Sequence, residues 1–126
     1  MKKLILLLLL IPIFGSSQAR LGSTRSQIYT EFAELIPTFS NTSDGMEYLV
    51  VNIEDIMVLH YFNEEAVCTT SVIYPETQGA LNSLVELYNN RYVVISPKSW
   101  RMYSSAGNYA DVKLVTNNQV TFFIWE

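Results

Sequence analysis

The sequence predicts an α+β domain built on an antiparallel sheet of about six strands, with two helices on one face. Three observations lead there. Apolar residues recur at helical spacing from Ile28, switch to a period of two from Met46, and repeat both patterns from Leu81 onward. The period-two runs are short and separated by polar turns, the arrangement of antiparallel neighbours. Two amphipathic helical stripes need apolar surface to cover, and one sheet face supplies it for both. The order helix, three strands, helix, then three or four strands reads as a duplicated αβββ unit. Sequence identity between the halves is negligible, so the repeat is one of architecture.

The first helix opens on Thr24-Arg25-Ser26-Gln27, a capping box with Thr24 as N-cap and Gln27 reaching back. Ile28, Phe32, Leu35 and Ile36 form its apolar stripe, and Pro37 ends it. Phe39 to Gly45 reads as a polar loop. Strands follow at Tyr48–Ile53 and Ile56–Phe62, turning at Glu54-Asp55. A third, Ala66–Tyr74, is reached through Asn63-Glu64-Glu65, and Pro75 stops the meander. Leu81, Leu84, Val85 and Tyr88 mark the second helix, which Asn89-Asn90 ends. Arg91–Ile95, Trp100–Tyr103, Asp111–Thr116 and Val120–Trp125 are the remaining strand segments, with Asn117-Asn118 as a hairpin turn. Phe122 to Trp125 place large apolar groups on both faces, so this strand is either central or an edge covered by a partner. Phe122 is expected in the core.

Residues 1–19, MKKLILLLLLIPIFGSSQA, have the three parts of a secretory signal peptide: Lys2 and Lys3, an apolar run from Leu4 to Phe14, and small residues ending at Ala19. The run is shorter than the roughly 20 apolar residues of a membrane-spanning helix. The expectation is therefore an exported protein, periplasmic or secreted, with residues 20–126 as one small domain and no transmembrane anchor after signal removal. No cysteine follows the apolar run, so no lipid attachment is expected.

Without Lys2 and Lys3, six basic residues face twelve acidic ones. So acidic a chain is a poor candidate for nucleic acid or an anionic membrane surface. Cys68 is the only cysteine and His60 the only histidine, which excludes an internal disulfide and leaves a zinc site short of ligands. No cofactor or metal is expected. A Cys68–His60 nucleophile and base is a distant alternative, because no glycine elbow or oxyanion loop accompanies the pair. Buried Cys usually packs as a small hydrophobe. The acidic pairs Glu54-Asp55 and Glu64-Glu65 fall at opposite ends of a strand and read as solvated turns.

The segment with the most binding chemistry is Arg91 to Tyr103. Arg91, Lys98 and Arg101 are half of the six basic residues, and Tyr92, Trp100 and Tyr103 interleave with them. Such a set can stack a sugar or peptide and pair an anionic group. Strand alternation works against it, since Lys98 and Trp100 share one parity and Arg101 and Tyr103 the other.

Leu21-Gly22-Ser23-Thr24-Arg25-Ser26-Gln27-Ile28 resembles the helix-opening G-M-T-x-x-Q-V segment of the SmpA/OmlA family, with Gly22, Thr24, Gln27 and Ile28 matching. Members are small bacterial envelope proteins that assist outer-membrane protein assembly. The resemblance implies the helix-plus-antiparallel-sheet fold shared with β-lactamase inhibitor proteins. The functional expectation is a non-catalytic interaction module binding an envelope or extracellular protein. The alternative is a binder of a small anionic or carbohydrate ligand through residues 91–103.

Overall fold

The computed structural model describes residues 20–104 and 107–126; the signal-peptide reading lies outside the described residues. Helix α1 (Arg25–Glu31) starts where the capping box requires. The Gln27 amide donates to Thr24 Oγ1 at 3.2 Å and the Thr24 amide donates to Gln27 Oε1 at 2.9 Å. The helix is one turn shorter than its apolar stripe predicts. A 3-10 turn, Ala33–Leu35, follows, and Ile36 takes a left-handed conformation with φ 52°. Leu35 and Ile36 are therefore exposed rather than in the core.

Four strands follow: β1 (Thr38–Asn41), β2 (Glu47–Ile53), β3 (Ile56–Phe62) and β4 (Cys68–Pro75). Helix α2 (Gln78–Arg91), N-capped by Thr77, leads into β5 (Val93–Ser96), β6 (Ser99–Tyr103), β7 (Tyr109–Asn117) and β8 (Val120–Trp125). All eight form one antiparallel sheet in the order β1-β2-β3-β4-β8-β7-β6-β5. The expectation of about six strands in αβββ units is thus corrected: the sheet has eight strands, and the repeated unit is αββββ. The strand that the sequence hides is β1, inside the expected polar loop. It is a sheet edge with one neighbour, so Thr38, Ser40 and Asn41 stay in water and leave no apolar alternation. In the second half all four candidate segments pair.

The register fixes which residues share a face. Leu49, His60, Ser71, Trp125, Val112 and Trp100 follow one another as partners across six strands, and all are buried. This is the face that both helices cover. Ile28 of α1 packs with Leu49, Val51, Phe62 and Cys68. Leu84 and Tyr88 of α2 pack with Val58, Ile73, Trp100, Val112, Phe123 and Trp125. Tyr88 is the hub of the larger cluster. Its ring meets Trp100, Phe123 and Trp125 edge-on at 5.6, 5.0 and 5.6 Å, and its hydroxyl accepts from Trp125 Nε1 at 3.3 Å.

β8 lies between β4 and β7, which explains the large apolar groups on both its faces. Within it the core residues are Phe123 and Trp125; Phe122 is on the opposite face and only partly buried, against the expectation. Phe123→Ala is expected to cost about 3–5 kcal/mol, as for a fully buried aromatic. Phe122→Ala removes mainly its cross-strand contact with Tyr74 and is expected to cost about 1 kcal/mol. Urea denaturation of the two variants reads the difference.

Three hairpin loops share one design. In residues 42–46, 63–67 and 104–108 the first amide bonds the fifth carbonyl, and the fourth amide bonds the first carbonyl. The fourth residue has positive φ: Gly45, Gly107 and, in the middle loop, Ala66 at 62°. A Cβ is strained there. Ala66→Gly is expected to raise unfolding free energy by about 0.5–1 kcal/mol, again measured in urea.

Candidate functional site

The end of α2 and the start of β5 lie beside the end of β6, and Arg91, Tyr92, Arg101 and Tyr103 come together there. With Asn90, Val93 and Met102 they line a surface hollow of about 580 Å³. Trp100 and Lys98 do not join them. Trp100 is 1% exposed on the helix-covered face, where its Nε1–H donates to Asn89 Oδ1 at 2.8 Å. An indole so placed cannot stack a ligand, which corrects its reading as a binding residue. Lys98 lies in the β5–β6 turn, at the far end of β6 from Tyr103. The parity conflict thus divides the predicted set.

Arg101 is already engaged. Its Nε and Nη2 donate to Asp111 Oδ1 and Oδ2 at 2.7 and 3.3 Å, and its guanidinium lies 3.9 Å from the Tyr109 ring centroid. The hydrogen bond from Arg101 holds the Asp111 carboxyl below its ordinary pKa, and the same bond raises that of Arg101. Burial raises the Tyr92 phenol, with Arg91 opposing. The Tyr92 hydroxyl is buried without a hydrogen-bond partner among the described residues. Arg20–Glu31 and Arg25–Glu47 are further ion pairs among the described residues, so Arg20, Arg25 and Arg101 are each neutralised locally.

A second surface lies outside the residues 91–103 that the sequence singles out. The sheet face opposite the helices carries Tyr48, Leu59, Tyr61, Tyr74, Phe122 and Ile124, all partly exposed. The register makes them neighbours. Tyr48 pairs with Tyr61, Leu59 with Val72, and Val72 with Ile124. The Tyr48 and Tyr61 rings are 5.0 Å apart, and those of Tyr74 and Phe122 5.2 Å. Burial and the neighbouring phenols of Tyr74 and Tyr48 raise the Tyr61 pKa. A signal existed: the runs YLVV, IMVLHYF and TFFIW are apolar at both parities, as strands covered on both sides are. Only the last run stands above as a strand apolar on both faces.

His60 and Cys68 do not face one another. His60 pairs with Ser71, and a bulge after Tyr61 sets Cys68 opposite Phe62. They still share a network. His60 Nδ1 lies 2.9 Å from Ser71 Oγ, Ser71 Oγ lies 3.6 Å from Cys68 Sγ, and Cys68 Sγ donates to the Thr70 carbonyl at 3.4 Å. One proton arrangement satisfies every donor: Nδ1–H to Ser71, Ser71 to sulfur, sulfur to Thr70. It leaves only Nε2 without a partner. His60 is fully buried and Cys68 is 1% exposed, and burial raises the thiol's pKa. A buried neutral thiol is a poor nucleophile. Among the described residues no group of three or more His, Cys, Asp or Glu side chains is placed to hold a metal ion.

Burial, with Arg20 adding, pushes the His60 pKa from 6.5 down to about 3. The unfolded chain thus binds a proton that the folded chain refuses in this window. Stability is full above pH 6.5 and falls as pH drops toward 3. Between pH 6.5 and 4.5 the loss expected from this group is about 2–3 kcal/mol. His60→Gln is expected to flatten that slope, whatever its own cost, when unfolding free energy is measured across the range.

Comparison of the chain with family models, with curated proteins and with solved structures finds no match.

Proposed function

We propose that this chain is a small exported, non-catalytic interaction module, periplasmic or secreted and not lipidated, that binds a folded envelope or extracellular protein. The observation that carries the reading is the sheet face that no helix covers among the described residues, with its cluster of Tyr48, Leu59, Tyr61, Tyr74, Phe122 and Ile124. Both helices cover the other side. Tyrosines are enriched at interface hot spots, and contiguous exposed apolar patches mark interaction sites.

The chemistry of the occupant follows from charge. Residues 20–126 hold six basic and twelve acidic residues, and the face's own cations, Arg101 and Lys113, flank Asp111. An anionic lipid surface and a second copy of the chain are both repelled. A protein with an apolar patch and a basic rim is attracted. No helix among the described residues is long and apolar enough to cross a membrane.

Tyr61→Ala with Tyr74→Ala tests this. A partner captured from the envelope or medium by the tagged protein is expected to bind the double variant about thirtyfold more weakly, with the thermal midpoint close to the wild type. A partner held equally by both proteins removes the face as the site. Sedimentation of a dimer that the double variant abolishes assigns the face to a second copy instead.

A further inference from the structure

The sheet has two edges, and they differ. β1 is polar, and its one large side chain, Phe39, is covered by Arg25 at 3.9 Å and by Tyr29 at 5.6 Å. β5 is the opposite: Val93, Val94 and Ile95 are 49, 52 and 53% exposed. Three consecutive β-branched apolar residues therefore stand at an edge with no second strand partner among the described residues, where alternate N–H and C=O groups point away from β6. Two devices limit what this edge accepts. The strand is four residues long, and the register shifts between Val94 and Ser96. No charge or proline lies within it, although both are common guards of a free edge.

The surroundings select a sequence. Arg91 precedes β5, and with Arg101 it lines the hollow at that end; Lys98 follows the other end. We propose that β5 is a strand-addition site, taking an extended segment that is apolar at its centre and acidic at both ends as a ninth strand antiparallel to it. The segment's backbone bonds the free N–H and C=O groups of β5. Its alternate side chains meet Val93, Val94 and Ile95. An acidic group at its C-terminal end reaches the hollow beside Arg91, and one at its N-terminal end faces Lys98. A second copy is the poorer occupant. Antiparallel pairing of β5 with itself sets Arg91 of one copy beside Lys98 of the other, and the two acidic bodies repel.

The probe is a fluorescein-labelled peptide, Asp-Thr-Val-Thr-Val-Thr-Val-Asp, titrated with the purified protein and followed by anisotropy. Saturable binding is expected. N-methylation of one alternate set of amides, the set that faces β5, weakens it by about tenfold or more; methylation of the other set does not. Arg91→Glu with Lys98→Glu switches the preference to the same peptide ended by lysines. If that variant fails to fold, the two methylated peptides decide on the wild-type protein. No saturation by about 1 mM peptide overturns the proposal, as does equal binding of both methylated forms. A dimer that Val94→Lys dissolves gives β5 to a second copy and overturns it too. The site goes beyond the protein-binding reading above. It lies at the edge, so Tyr61→Ala with Tyr74→Ala leaves peptide binding intact, and failure of either proposal is visible separately.

Discussion

The two αββββ halves meet at one seam, the pairing of β4 with β8, and it rests on Ser71–Trp125, Val72–Ile124 and Ile73–Phe123. Everything else in the fold presupposes it. Without the seam there are two four-stranded sheets, each with an extra bare edge. With it, Val58 and Ile73 of the first half enter the same cluster as Leu84, Tyr88 and Trp100 of the second. The larger core thus belongs to neither half alone. Tyr88 sits in that shared cluster, holding Trp125 of β8 by its hydroxyl and Phe123 by its ring. The smaller core under α1 is drawn from the first half alone; His60 and Ser71 continue the transverse row from Leu49, and Ser71 reaches Cys68 of that core.

The seam also sets the asymmetry of the sheet. Each helix leaves the sheet centre and leads to an edge strand, α1 to β1 and α2 to β5, on the same side. Among the described residues no further element covers the opposite side, although β2, β3, β4 and β8 are apolar there as well. Large aromatic residues on that side shield one another in pairs, Tyr48 with Tyr61 and Tyr74 with Phe122. This partial self-covering lets an apolar surface persist in water, and it leaves stacking area for a partner.

Much of the fold was legible because it is written in short-range chemistry. The capping box at Thr24 and Gln27 is a contact over three residues, and it forms as read. The Glu54-Asp55 turn separates β2 from β3 as expected. What failed depended on tertiary context. Leu35 and Ile36 continue a helical period, but the chain unwinds at Phe32, and no periodicity signals that. β1 is held by β2 alone, so its polar residues resemble a loop. The hairpin turn falls at Asn118 and Gln119, both with positive φ, one residue beyond the predicted pair, because register rather than residue type chose the position. The candidate site divided for a related reason. Trp100 and Arg101 are adjacent in sequence but project from opposite faces of β6, one into the core and one to Asp111. The aromatic face is assembled from four strands, and no single run of sequence contains it.

The position of β8 has a consequence for the order in which the sheet is made. It follows every other described strand, yet it lies in the middle of the sheet, and Glu126, the residue after it, closes a two-bond pair with Asp111. During synthesis, β4 and β7 stand as open edges until β8 emerges, and neither half of the core can be sealed. Contacts between β4 and β8 span a long stretch of chain, which slows closure further. A polypeptide wired in this way stays unlocked through most of its synthesis, and locks only once that strand has arrived.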